Sequence, residues 1–149
     1  MADLDLVRRL AVADSGLVVF ATARADGTVQ ASVVNAGVMA NPLGDGDVLA
    51  CVARGGTAKL ANVRRNPHAT MVFRAGWEWV SVEGATTIIG PDDQVEGFAP
   101  ERLPGLLRDV FVAAGGTHDD WDEYDRAMVE DRRVAVLVAP ERIITNPGS

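Results

Sequence analysis

Histidine, cysteine and lysine are nearly missing from this 149-residue chain, which has two, one and one of them. His68 and His118 show no metal-ligand spacing, which argues against a histidine-built metal site. The single cysteine, Cys51, excludes an internal disulfide, and its apolar neighbours suggest a core thiol rather than a nucleophile. Long apolar runs are lacking too: the longest, such as Val134 to Ala139, fall well short of the ~18 residues that cross a bilayer. The opening MADLDLVRRL carries acids and no extended apolar stretch, unlike a secretory leader. A cytoplasmic protein with no membrane partner is therefore expected. A net charge of −7 and a pI near 4.7 argue against nucleic acid, whose phosphates need a basic surface.

What is present is an ordinary globular composition, 48% apolar, with neither repeats nor a linker, so 1–149 reads as one domain. Leu4 to Ala13 has the spacing of a short amphipathic helix. Strands are expected at Leu17 to Ala23 and Val29 to Asn35, joined by an Asp26-Gly27 hairpin, and at Val48 to Ala53. After Gly55-Gly56, Thr57 is placed to cap a helix reaching Arg65, which Asn66-Pro67 ends. Further strands are expected at Ala69 to Phe73, Trp77 to Ile89 and Val134 to Val138, with Ile143-Ile144 extending the sheet. Helices are expected over Pro100 to Ala114 and Trp121 to about Asp131. Six or seven hairpin-linked strands with late helices predict a mainly β antiparallel barrel flanked by helices. No G-x-G-x-x-G follows a strand, so a Rossmann nucleotide site is not expected.

The positive charge is unevenly spread. Arg54, Lys59, Arg64, Arg65 and His68 fall within one short segment of an acidic protein. Gly55, Gly56, Thr57 and Lys59 lie where a strand gives way to a helix, whose free N–H groups attract an anion. Thr57 could donate its hydroxyl to a phosphate oxygen, with Arg54 and Lys59 adding charge. A solvated, capped helix face fits the same residues. Gln30, Ser32 and Val34 share one strand face that could meet a planar cofactor ring or solvent. Trp77 and Trp79, two apart, suit a core, a stacking surface or an interface. The acids from Asp119 to Asp125 have a sufficient role at a helix start, weak divalent-ion binding being the alternative. With so few acids, bases or nucleophiles in a catalytic pattern, any chemistry would belong to a cofactor.

The blocks R-G-G-T-A-K-L-A-N-V-R-R-N-P-H-A, G-W-E-W-V-S-V-E-G and D-D-W-D-E-Y-D-R-A-M-V-E-D-R-R-V resemble the pyridoxamine-5'-phosphate-oxidase-like split β-barrel superfamily, the FMN-binding split-barrel type. More narrowly they resemble the B branch of the deazaflavin (coenzyme F420)-dependent reductases of actinobacteria. The resemblance covers nearly the whole chain. It implies a six- to seven-stranded split barrel and an obligate homodimer with its cofactor at the subunit interface. Lys59, with Arg54 and Thr57, would grip the cofactor phosphate, and Gly56 and Ala58 would supply backbone in that loop. Gln30, Ser32, Val34 and Asn35 would line the ring system, Cys51 and Val52 the strand before the loop. Trp77 and Trp79 would fall where the partner completes the site, and Asn62 and Arg64 would support the loop.

Some relatives carry a second basic residue two positions before the lysine, where this chain has Thr57; Arg54 is the nearest basic substitute. True pyridoxamine oxidases hold pyridoxal phosphate through a C-terminal extension beyond the position of Ser149, so pyridoxamine oxidation is not expected. The implied activity is hydride transfer from reduced F420 to a small electrophilic substrate. FMN in the same site, a non-catalytic F420 carrier and a haem-binding barrel are the alternatives. Basic residues such as Arg64 or Arg65 facing the groove would favour F420, whose tail carries carboxylates. The substrate walls are expected from Gly37 to Gly46 and Glu96 to Pro104.

Overall fold

The computed structural model describes residues 3–146. Helix α1 (Leu4–Ala13) is followed by strands β1 (Leu17–Ala23), β2 (Val29–Ala40) and β3 (Asp47–Ala53). Helix α2 (Ala58–Arg65) leads into β4 (His68–Ala75) and β5 (Glu78–Ile89). A 3-10 turn (Pro100–Arg102) runs into α3 (Leu103–Ala113), then α4 (Trp121–Glu130), β6 (Val134–Val138) and β7 (Arg142–Thr145). All strand pairs are antiparallel. Their order β4-β1-β2-β3-β6-β5, with β4 pairing back onto β5, closes a six-stranded barrel, and β7 adds to the outside of β5.

Two long strands hold the barrel together. The first half of β2, from Val29 to Asn35, pairs with β1, and its second half, from Ala36 to Ala40, pairs with β3. β5 does the same: Glu78 to Ala85 pairs with β4, and Thr86 to Ile89 with β6. Each strand thus crosses from one half of the barrel to the other. The strand expected to stop at Asn35 runs on to Ala40, through the first part of the loop expected from Gly37 to Gly46, because Gly37 is a packing notch within the strand. A Cβ there would lie 1.9 Å from the carbonyl oxygen of Ala113, so α3 rests directly on the strand backbone.

The alternation of each strand separates an inner core from an outer layer. Val18, Phe20, Leu49, Met71, Phe73, Val80, Val82, Val136 and Val138 fill the barrel. On the far side of β3 and β6, Val48, Ala50, Ala135 and Leu137 pack under Leu106, Leu107 and Val110 of α3 and Tyr124 of α4. All five residues of β6 are buried, because its two faces have different covers. The Asp120 carboxylate caps α4 by accepting from the Glu123 N–H at 3.1 Å.

Candidate functional site

The loop between β3 and α2 is shaped by close backbone contact. A Cβ on Gly55 would sit 2.6 Å from the carbonyl oxygen of Arg132, and the Gly55 N–H donates to the carbonyl of Asp131. The Thr57 hydroxyl donates to the Arg54 carbonyl at 3.2 Å and does not cap α2, whose first turn holds no acid. The helix start is therefore left without a side-chain acceptor, and the ammonium of Lys59 stands one residue inside it.

Lys59 lines a cleft of about 500 Å³, within the ~300–1,000 Å³ usual for small-molecule sites. One wall is strand, from Val33 to Asn35 on β2 and Val52 and Ala53 on β3, with Arg54 just beyond its end. The other is the end of α3 with Phe111 and Gly116, and Tyr124 and Met128 of α4. Arg133, at the entry to β6, completes it. Three cations line the cleft and no carboxylate does. Arg54 and Arg133 both reach Asp131, whereas Lys59 forms no ion pair among the described residues.

Of the residues expected to bind a ligand, Val34, Asn35, Val52, Arg54 and Lys59 come together here. Gly56 lines an adjoining cavity of about 440 Å³ that shares Arg54 and adds Arg64, Asp92, Asp131 and Arg132. Thr57 and Ala58 belong to the loop and the helix start without lining the cleft. Cys51 is the core thiol its apolar neighbours predicted and does not line the cleft, as the resemblance implied it would. Its side chain is 1% exposed inside the barrel, while its neighbour Val52 faces the cleft, as strand alternation demands. Burial pushes the thiol up to about 12, only partly opposed by Lys59, so it stays protonated.

Gln30 and Ser32 also lie off the cleft. The Gln30 side-chain oxygen accepts from the Asn62 amide at 2.8 Å, and the same amide donates to the Thr22 hydroxyl at 3.1 Å. This link ties α2 to β1 and β2 and satisfies the buried Asn62. Trp77 lies in the turn before β5 and is 94% exposed, so it does not share a strand with Trp79. Trp79 is half-buried near the start of β5, and its carbonyl accepts from the Thr145 hydroxyl.

The loops expected as substrate walls meet elsewhere. Met39 to Pro42 and residues from Phe98 to Asp109 enclose a separate cleft on the other side of α3. The wall at Lys59 comes instead from Phe111, Tyr124 and Met128, on two helices that the sequence predicts without assigning them to a site. Phe111 lies 5.0 Å from Tyr124 and 6.2 Å from Trp121, ring centre to ring centre. The Tyr124 hydroxyl donates to the Leu107 carbonyl at 2.8 Å, and burial pushes the phenol up to about 12. It joins α4 to α3 and is unsuited to giving up a proton near neutral pH.

The basic residues proposed to mark a carboxylate-rich tail are engaged. Arg64 lines the adjoining cavity but donates to both oxygens of Asp93, at 2.9 and 2.7 Å. Arg65 turns away to the Ala23 carbonyl. Among the described residues no helix is long and apolar enough to cross a membrane, and no group of three acidic, histidine or cysteine side chains is placed to hold a metal.

A closed six-stranded antiparallel barrel with a seventh strand and flanking helices places the chain in the split-barrel class. The chain belongs to the pyridoxamine 5'-phosphate oxidase family, whose model matches residues 7–145. The fold is shared with a conserved hypothetical protein of Mycobacterium tuberculosis, at 21% identity and TM-score 0.68 over 97% of this chain and 84% of that one. An F420 reductase superposes with TM-score 0.58 at 19% identity, over 86% of this chain and 88% of its own. A pyridoxamine 5'-phosphate oxidase-related, FMN-binding protein of Nostoc punctiforme gives 0.62 at 16% identity, over 94% and 78%.

Proposed function

We propose that this protein is an oxidoreductase that uses coenzyme F420 to reduce a small electrophilic molecule. The observation that carries the reading is Lys59: a half-buried ammonium with no carboxylate partner, lining a cleft that holds no acid. A phosphate-bearing cofactor fits these residues, since an anion would gain an opposite charge, the uncapped first turn of α2 and the Arg54 guanidinium. When bound, the reduced deazaflavin supplies the hydride. The chain's own part is to anchor the phosphate at Lys59 and Arg54, flank the ring with Val34, Asn35 and Val52, and exclude water with Phe111 and Met128.

FMN is the second reading, favoured by the engagement of Arg64 with Asp93 and of Arg65 with Ala23, which leaves neither free for tail carboxylates. Titration of the protein with F420 and with FMN, followed by fluorescence, separates the two. Micromolar binding of F420 alone, weakened at least tenfold (~1.4 kcal/mol) in Lys59→Ala, supports the first reading. Preference for FMN moves the protein to the second, and saturable binding without turnover makes it a carrier.

A second copy of the chain is the proposed partner. The outer face of the β1–β2 hairpin is apolar: Leu17, Val19, Val29 and Val33 are 45%, 39%, 64% and 65% exposed. Pairing of Val19 with Val33 and with Val72 carries that face across the sheet, and Ser81 leads it on to the exposed Ile144. Val33 belongs both to this face and to the cleft, so a copy docked here would also cover the ligand.

A further inference from the structure

Arg132 and Arg133 follow one another in the chain and meet different fates. Arg132 donates to both oxygens of Asp92 at 2.6 Å and lines the adjoining cavity. Arg133 lines the main cleft, and its one carboxylate partner among the described residues is Asp131, two residues back and outside the cleft lining, at 3.3 and 3.4 Å. The other oxygen of Asp131 accepts from Arg54 at 3.3 Å. Four other arginines, Arg9, Arg64, Arg108 and Arg132, each make two bonds of 2.5–3.0 Å to their acid. Asp131 is thus one carboxylate stretched between two guanidiniums, both of which face the cleft. It neutralises one charge of three and leaves Lys59 unpaired, an excess near two. A phosphate monoester such as that of FMN carries about −1.5 to −2 at neutral pH, and a phosphodiester such as that of F420 carries one charge with its tail carboxylates beyond it.

We infer that Arg133 is an anion-binding residue of the cleft and that Asp131 is a placeholder for the ligand's anionic group, which displaces it. This rests on the reading that the cleft takes a phosphate-bearing ligand. Arg54 and Arg133 exchange long bonds to Asp131 for bonds to the anion, and Lys59 adds a third. The long pairs make the exchange easy, whereas the short pairs at Arg64 and Arg132 resist it.

The test is calorimetric titration of the full chain with inorganic phosphate and, separately, with FMN and F420. Arg133→Gln weakens phosphate binding at least fivefold, Arg133→Lys restores part of it, and Arg132→Gln changes it less than twofold. Asp131→Asn strengthens binding at least threefold, a gain that misfolding cannot produce, and the Asp131→Asn/Arg133→Gln pair loses that gain. Unchanged or weaker binding in Asp131→Asn, or no phosphate binding by the unmodified protein, overturns the inference. If these phosphate effects appear while neither FMN nor F420 binds, the cofactor reading falls and the anion site stands. If either cofactor binds and the Arg133 and Asp131 variants behave as wild type, the reverse holds.

Discussion

The two halves of the barrel are built alike and finished differently. Around β3 and β6 the outward side chains Val48, Ala50, Ala135 and Leu137 are buried under α3 and α4. Around β1 and the first half of β2 the outward side chains Val19, Val29 and Val33 are equally apolar and exposed. The covered half gains its layer from its own chain; the bare half leaves the same kind of surface open. The cleft lies on the border, with one wall from the helices and Val33 from the bare sheet. This explains why the proposed site and the proposed dimer stand or fall near each other.

The largest expected effect concerns the two sides of one strand in the covered half. The thiol of Cys51 points into the barrel, so it should react with a thiol reagent only through unfolding. For a domain of ordinary stability, about 5 kcal/mol or more, the rate falls roughly 5,000-fold or further below that of an exposed thiol. In Cys51→Ser/Val52→Cys the thiol faces the cleft and reacts freely. Comparable rates for the two would mean that the strand alternation here is misassigned.

Removal of the cover comes next. Leu107, 3% exposed, holds α3 against β3 and β6, and Leu107→Ala should cost about 2–5 kcal/mol by denaturant unfolding. Val33→Ser, on the bare half, should cost under about 0.5 kcal/mol within one protomer. Its consequence is in assembly: Val33→Asp, measured by light scattering, should shift dimer to monomer and weaken cofactor binding with it. A dimer that survives Val33→Asp would assign the interface to another surface.

The same contrast explains what could be read from the residues alone. Strands and helices were legible almost to their ends where a local signal marked them, as at Asp26-Gly27, Asn66-Pro67 and Asp120. The second half of β2 was not, because a strand interrupted by Gly37 reads as ending before it until α3 is laid across that glycine. The inner and outer faces of β2 could not be phased either. Val33 and Val34 are both valine, and the polar Gln30 and Ser32 turn inward, Gln30 because Asn62 meets it there. Lys59 and Arg54 stand out in the sequence because charge in an acidic chain is conspicuous, and both line the cleft. Phe111, Tyr124 and Met128 were missed as cleft residues because a helix packed on a sheet and a helix lining a cleft share one periodicity.

The smallest expected effect tests how firmly the cover is fastened. Arg108 of α3 donates to both oxygens of Asp125 of α4 at 3.0 and 2.5 Å and lies over the Trp121 ring. Its hydrogen bond holds the Asp125 carboxyl below the usual range; burial opposes this, and the positive charge adds to it. The folded value is thus depressed relative to an unfolded Asp near ~3.9. The pair's contribution is therefore complete above that value and is lost as pH falls through the lower, folded one. Both side chains are about one third exposed, so solvent screening keeps the contribution slight. Unfolding of wild type and Arg108→Gln at pH 7, 4 and 3 should show a small difference that shrinks with acid. On the bare half, Arg9 likewise donates to Glu78 and holds its carboxyl low, tying α1 to β5. Hydrogen exchange along α4 separates the two pairs, since Arg108→Gln loosens that helix at neutral pH and Arg9→Gln leaves it protected. Loosening of α4 by Arg9→Gln would mean that the halves are mechanically one piece and that the helical cover is not held by its own contacts.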